Sequence, residues 1–131
     1  MKKLLLTLTL LIVSASLLYA GPENSGDSQT VYQAGSQKSF KGPQDLFTGE
    51  VQVDMLFPAN ETAHYSGAYV TFQPGARTAW HLHPAGQHMV VTSGTGLTGT
   101  RDGKIVEIKT GDAVWCPPDI EIGRASCRER V

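Results

Sequence analysis

From residue 47 onward, apolar and polar positions alternate in short runs. Val51, Val53, Met55 and Phe57 alternate with Gln52, Asp54 and Leu56, and Ala68, Val70 and Phe72 alternate with Tyr69 and Thr71. Successive side chains of a strand point to opposite faces, so this spacing predicts two half-buried strands, the second ended by Pro74-Gly75. Residues 79–83 and 87–92 predict two more, separated by Pro84-Ala85-Gly86. Residues 97–100 and 104–108 flank Arg101-Asp102-Gly103, and Asp-Gly between strands is a strong hairpin signal. Residues 113–116 read as a short buried strand after Gly111-Asp112. Strands this short, spaced by turns every eight to twelve residues or so, predict an all-β sandwich or barrel.

The ends of the chain do not share this pattern. Residues 1–20 start with Lys2 and Lys3, continue through an apolar run broken by Thr7 and Thr9, and finish in small residues. That is the layout of a secretory signal peptide cut after Ala20, which implies a periplasmic or secreted bacterial protein. An uncleaved anchor helix is the competing reading, although the apolar core is short for a bilayer. With the signal removed, no stable membrane anchor is expected. Residues 21–46 are rich in Gly, Ser, Gln and Pro and read as a flexible lead-in. Residues 47–120 form the folded part. Residues 121–131 show no strand alternation, and back-translated they resemble a common sequencing adapter read in frame. The expectation is a native sequence that departs from this one near Ile120, with residues 121–131 hanging free of an open barrel.

Charge and cysteine content narrow the partners. A formal net charge of −1 with no basic run excludes an electrostatic case for nucleic acid or acidic membranes. Of the two cysteines, Cys127 lies in the adapter-like tail, which leaves Cys116 without a native disulfide partner. Between Trp115 and Pro117, at the end of an apolar strand, Cys116 reads as a small buried hydrophobe.

Candidate chemistry concentrates in residues 75–94. Alternation along a strand points His81 and His83 to one face, and the turn at 84–86 can bring Gln87 opposite them. Two imidazoles and an amide oxygen make most of a ligand set for a divalent first-row metal. Two half-exposed strand histidines would show the same spacing. His64 and His88 read as surface residues, Trp80 and Trp115 as wall packing, and Arg77 as a solvated turn residue or an anion contact.

The glycine and proline frame around these residues resembles the cupin superfamily. Gly75, His81, His83, position 87 and Gly94 match the first cupin motif, and Gly111 and Pro117 match the start of the second, with Asp119 where Gly is usual. The resemblance implies a cupin jelly-roll β-barrel, C-terminally truncated, with a metal near its mouth. Position 87 is Gln where most cupins have Glu. The fourth ligand, a His of the second motif, should fall at about position 122 or 123, where the chain has Ile122 and Gly123.

Within the cupins, residues 74–84 with Gln87 resemble the small manganese-dependent hydroxynitrile lyases, the (R)-mandelonitrile lyase-like group. That resemblance implies metal ligation by His81, His83, Gln87 and the missing His, with Thr78 close to a small organic substrate. Mn is the implied metal, with Fe or Zn as alternatives, and a nearby His would move the proton. Cupins commonly pair through sheet edges, so the resemblance also leaves open a homodimer of the full-length form. Two function classes remain: a metal-dependent lyase, inactive as this chain, and a non-catalytic cupin that binds a metal or small ligand.

Overall fold

The computed structural model describes residues 28–126, of which residues 32–126 belong to one compact unit. Ten strands run along it: β1 (Ser39–Lys41), β2 (Phe47–Thr48), β3 (Val51–Phe57), β4 (Gly67–Phe72), β5 (Arg77–Thr78), β6 (Gln87–Val90), β7 (Thr95–Thr100), β8 (Ile105–Lys109), β9 (Ala113–Cys116) and β10 (Ile122–Ser126). They assemble into a three-stranded sheet ordered β1-β3-β4, a five-stranded sheet ordered β2-β5-β10-β7-β8, and the β6-β9 pair. Every pairing is antiparallel. The signal-like residues 1–20 lie outside the described residues.

The alternation of β3 does what it predicts. Val51 and Val53 are buried and pack with Ala76, and Phe40, Phe47, Met55 and Phe72 close around them. Phe47 and Phe72 meet edge to face with ring centroids 6.0 Å apart, a favoured aromatic geometry. A register shift between Met55 and Phe57 against β4 marks a bulge at Leu56, which breaks the alternation there. The hairpin at Asp102-Gly103 forms as expected, with β7 and β8 in register from Thr95↔Lys109 to Gly99↔Ile105.

Three expectations are corrected. Residues 39–41 of the lead-in form β1 and pair with β3, because Phe40 adds an apolar side chain to the Val51–Val53 core. Residues 79–83 are not a continuous strand. Only Arg77 and Thr78 are paired as β5, and His81 makes a single bridge to Ile122. The stretch is held at points, by Ala79 N–H to the Leu46 carbonyl at 2.7 Å and by mutual bonds between His81 and Ile122 at 3.1 and 2.9 Å.

The third correction concerns the tail. Residues 122–126 do not hang free: they form β10, paired along its whole length with β7 and through Ala125 with Arg77 of β5. The reason is in the backbone. Without β10, the inner side of β7 would leave a row of N–H and C=O groups without partners. β7 reads Thr-Gly-Leu-Thr-Gly-Thr, and a Gly-rich strand places few steric demands on its partner. Ile122 is 3% exposed and so also contributes apolar burial.

The interior stays partly open. Among the described residues six hydrophobics are buried, and Tyr69, Val70 and Val90 are substantially exposed. These three help line a cavity of about 1020 Å³ that reaches the candidate residues.

Candidate metal centre

The site is assembled at the meeting of three segments. The His81 segment is pinned to β10, Gln87 opens β6, and Cys116 ends β9 directly opposite Gln87. Directly paired residues of an antiparallel ladder share a face, so Gln87 and Cys116 point the same way. Gln87 therefore pairs with β9 and not with the histidine segment, as the sequence had suggested. The turn at 84–86 still supplies the geometry. The Gly86 N–H donates to the His83 carbonyl at 2.9 Å, and Gly86 sits at φ +75, a left-handed conformation that Gly adopts without steric cost.

The two histidines come together as expected, with ring centroids 5.0 Å apart at 76°. His81 Nδ1 lies 2.8 Å from the Ala79 carbonyl oxygen. A carbonyl only accepts, so Nδ1 carries the proton and the lone pair of the neutral ring is on Nε2. This is how a metal-binding imidazole is usually oriented by a group behind it. His83 Nε2 is buried with no hydrogen-bond partner. Burial, then the neighbouring His81 and the Arg124 guanidinium, hold the His83 imidazole below its usual pKa and favour the neutral ring.

A residue that the sequence did not single out fills the middle. Arg124 of β10 donates from Nη2 to Gln87 Oε1 and to Cys116 Sγ at 3.5 Å, and its Nη1 lies 3.4 Å from His81 Nε2. Its Nε is buried without a partner. Its backbone N–H donates to Thr78 Oγ1 at 3.0 Å, so the implied substrate-proximal threonine also clasps β10 to β5. A signal for Arg124 was available: it lies two positions after Ile122, which strand alternation puts on the same face.

His64, His88 and Arg77 lie on the surface as expected, whereas Trp80 and Trp115, expected as wall packing, are exposed. His88 stacks on Trp115 with ring centroids 4.5 Å apart. The Trp80 ring lies against Gly123 and Trp115 against Gly86, both half-exposed. Cys116 is buried and reduced.

Do these residues suit a metal? Among the described residues, no group of three or more His, Cys, Asp or Glu side chains is arranged to hold one. Gln87 lies outside that set of residue types, and its Oε1 shares a cation with His81 Nε2. The His83 Nε2 beside them is buried with no hydrogen-bond partner, on a ring whose centroid lies 5.0 Å from that of His81. His81 Nε2 and Gln87 Oε1 are N and O donors of the kind a divalent ion takes, and both face the Arg124 guanidinium.

Residues 68–121 match the cupin domain family. The chain is 52% identical over 88 residues to (R)-mandelonitrile lyase from Granulicella tundricola, covering 67% of each chain. The crystal structure of a cupin-like protein from Thermotoga maritima superposes with a TM-score of 0.57 at 37% identity, covering 66% of this chain and 75% of that one. The all-β strand order, the cavity beside the two histidines and these likenesses lead to one conclusion: the chain belongs to the cupin family, with a jelly-roll fold, and resembles the hydroxynitrile lyase group within it.

Proposed function

We propose that the chain is an exported bacterial metal-binding cupin whose centre uses His81, His83 and Gln87, built for lyase chemistry on a small organic substrate. The observation that carries this reading is the convergence of His81 Nε2 and Gln87 Oε1 on one cationic group beside the unpartnered His83 Nε2. The 52% identity to a mandelonitrile lyase supports the reaction class. The cavity supports it as well, because Phe72, Met89, Leu97 and Ile108 make its lining apolar next to the polar donors.

A divalent ion, Mn by preference and Fe or Zn as alternatives, would supply Lewis acidity toward a hydroxyl or cyano group. The protein's own part is to orient and to exclude water. Ala79 fixes the His81 tautomer. Gln87 contributes a neutral oxygen, which leaves a bound cation more positive than a carboxylate would. Thr78 accepts from the Arg124 backbone, which leaves its hydroxyl proton free to donate to a substrate oxygen. Residues 111–120 contain no His to transfer the proton, so the chain as it stands is inert in this reading. A non-catalytic ligand-binding role is the second reading, favoured by the guanidinium in the centre.

The test restores the fourth ligand. Ile122 bridges His81 directly, so Ile122→His places an imidazole on the same face. The double variant Ile122→His, Arg124→Ala should bind about one Mn per chain by elemental analysis, while the parent chain does not. Unchanged metal content after a further His81→Ala would refute the centre.

A further inference from the structure

We propose that Asp102-Gly103, at the tip of the β7–β8 hairpin, is a site of spontaneous backbone modification. The Asp102 side chain closes onto the Gly103 nitrogen and reopens as isoaspartate, a reaction that the hairpin's own hydrogen bonds hold back. This does not rest on the proposed metal centre, and every bond it uses lies within residues 100–104.

The first requirement is that the nitrogen can reach the carboxyl carbon. A residue without a side chain after Asp hinders that approach least, and Gly103 supplies it. Both residues are exposed, and nothing lies within 4 Å of the point where a side chain at Gly103 would begin. In the first step the Gly103 amide nitrogen gives its proton to water and attacks Asp102 Cγ. An N–Cγ bond forms, a Cγ–O bond breaks, and one carboxyl oxygen leaves as water. The five-membered imide then takes water back. Breaking N–Cγ restores aspartate; breaking the bond from the nitrogen to the Asp102 carbonyl carbon leaves the chain running through Cγ, one methylene longer. No oxidant, reductant or cofactor is consumed.

The fold engages both reacting groups. Asp102 Oδ1 accepts from the Thr100 hydroxyl and from the Lys104 N–H at 3.3 Å. The Gly103 N–H donates to the Thr100 carbonyl at 3.1 Å, so the attacking nitrogen must first give up that bond. The Thr100 bond, then the Lys104 bond, also hold the carboxyl below its usual pKa. It therefore stays a carboxylate, which releases an oxygen less readily than a neutral carboxyl releases water. Ring closure requires the tip to open, and each bond lost on opening lowers the open fraction several-fold. The product cannot be accommodated. An extra methylene breaks the Gly103–Thr100 bond and the Thr100 N–H to Lys104 carbonyl bond of 2.9 Å. Leu97 of β7 and Ile108 of β8 line the cavity, so damage at the tip reaches its wall.

The experiment ages the purified full chain at neutral pH, in buffer and in concentrated urea. Isoaspartate at residue 102 is counted by peptide mass spectrometry with electron-transfer fragmentation. The parent should isomerise at least about tenfold more slowly in buffer than in urea. Thr100→Val keeps the branched side chain and removes the hydroxyl donor. It should react at least about threefold faster than the parent in buffer and at the parent's rate in urea. Thr100→Ser restores the donor and should return the rate to the parent's. If Thr100→Val does not fold, the parent's ratio of buffer to urea rates still decides. Equal parent rates in buffer and urea would overturn the protection, as would equal rates for parent and folded Thr100→Val in buffer. No isoaspartate at residue 102 in urea would overturn the site itself.

Discussion

Gly86→Ala tests whether the turn between the histidines and Gln87 is set by backbone contact. The residue has φ +75, and a left-handed conformation costs an L side chain about 1–2 kcal/mol. A methyl at this position would also lie 2.2 Å from Trp115 Cη2 and 2.9 Å from the Cys116 carbonyl oxygen. The indole is half-exposed and can swing away, but the carbonyl belongs to the β6-β9 ladder that holds Gln87 opposite Cys116. Overpacking of this kind adds about 1–3 kcal/mol, for a total near 2–5 kcal/mol. Gly94→Ala is the matched control. Its φ is +77, and nothing lies within 4 Å of the added methyl, so it should lose only the conformational part, about 1–2 kcal/mol. Urea unfolding followed by far-ultraviolet circular dichroism gives both values. In a Cys127→Ser background, the rate at which a thiol reagent labels buried Cys116 reports the local loosening. Equal losses for the two variants, within about 0.5 kcal/mol, with no faster labelling of Cys116, would refute the contact argument.

Other perturbations reach the core, the hairpin and the leader. Phe47→Ala removes a ring that packs on Phe72 and on the Val51–Val53 cluster; partial burial should hold the loss to about 2–3 kcal/mol in the same urea assay. Asp102 accepts from the Thr100 hydroxyl and from the Lys104 N–H at 3.3 Å. Those two bonds, in that order, hold its carboxyl below the usual range. A depressed folded pKa means that the turn is fully supported above the ordinary carboxylate value and loses that support as pH falls through the folded value. The Lys104 amide resonance should therefore shift on acidification of the parent and stay still in Asp102→Asn. Expression with residues 1–20 intact in a bacterial host should yield exported protein whose first residue is Gly21; retention of Met1 would show an uncleaved leader.

How much of this was legible in the sequence depends on where each element gets its partner. β3 could be read because its side-chain alternation is its own property, and the hairpin because Asp102-Gly103 dictates a local reversal. β4 and β9 form where the apolar runs lie, but Ala68 to Thr71, Ala113 and Trp115 are exposed, so neither is the half-buried or buried strand expected. The pairing of Gln87 could not be read. Its partner Cys116 is far along the chain, and nothing in the run from Gly86 to Val90 distinguishes β9 from the histidine segment as a neighbour. β1 has one apolar residue, Phe40, and becomes a strand only because β3 offers it an edge. The His81–His83 proximity was correct although the strand reasoning behind it was not. Point contacts to Leu46 and Ile122 fix the segment in place of a continuous ladder.

The tail shows the limit of pattern reading most clearly. Residues 121–131 carry no amphipathic signal, and on that ground a free end was expected. A strand does not need such a signal when a neighbour's backbone groups are waiting for partners. β7 offers five consecutive pairs to whatever extended segment arrives, and Ile122 through Ser126 takes them. Once that register is set, side-chain direction follows from parity alone: Ile122 and Arg124 must share the face that His81 occupies. The sequence pattern could place two imidazoles and an amide near each other, but the cation among them is decided by which residue parity delivers to the pocket. Parity with Ile122 delivers Arg124.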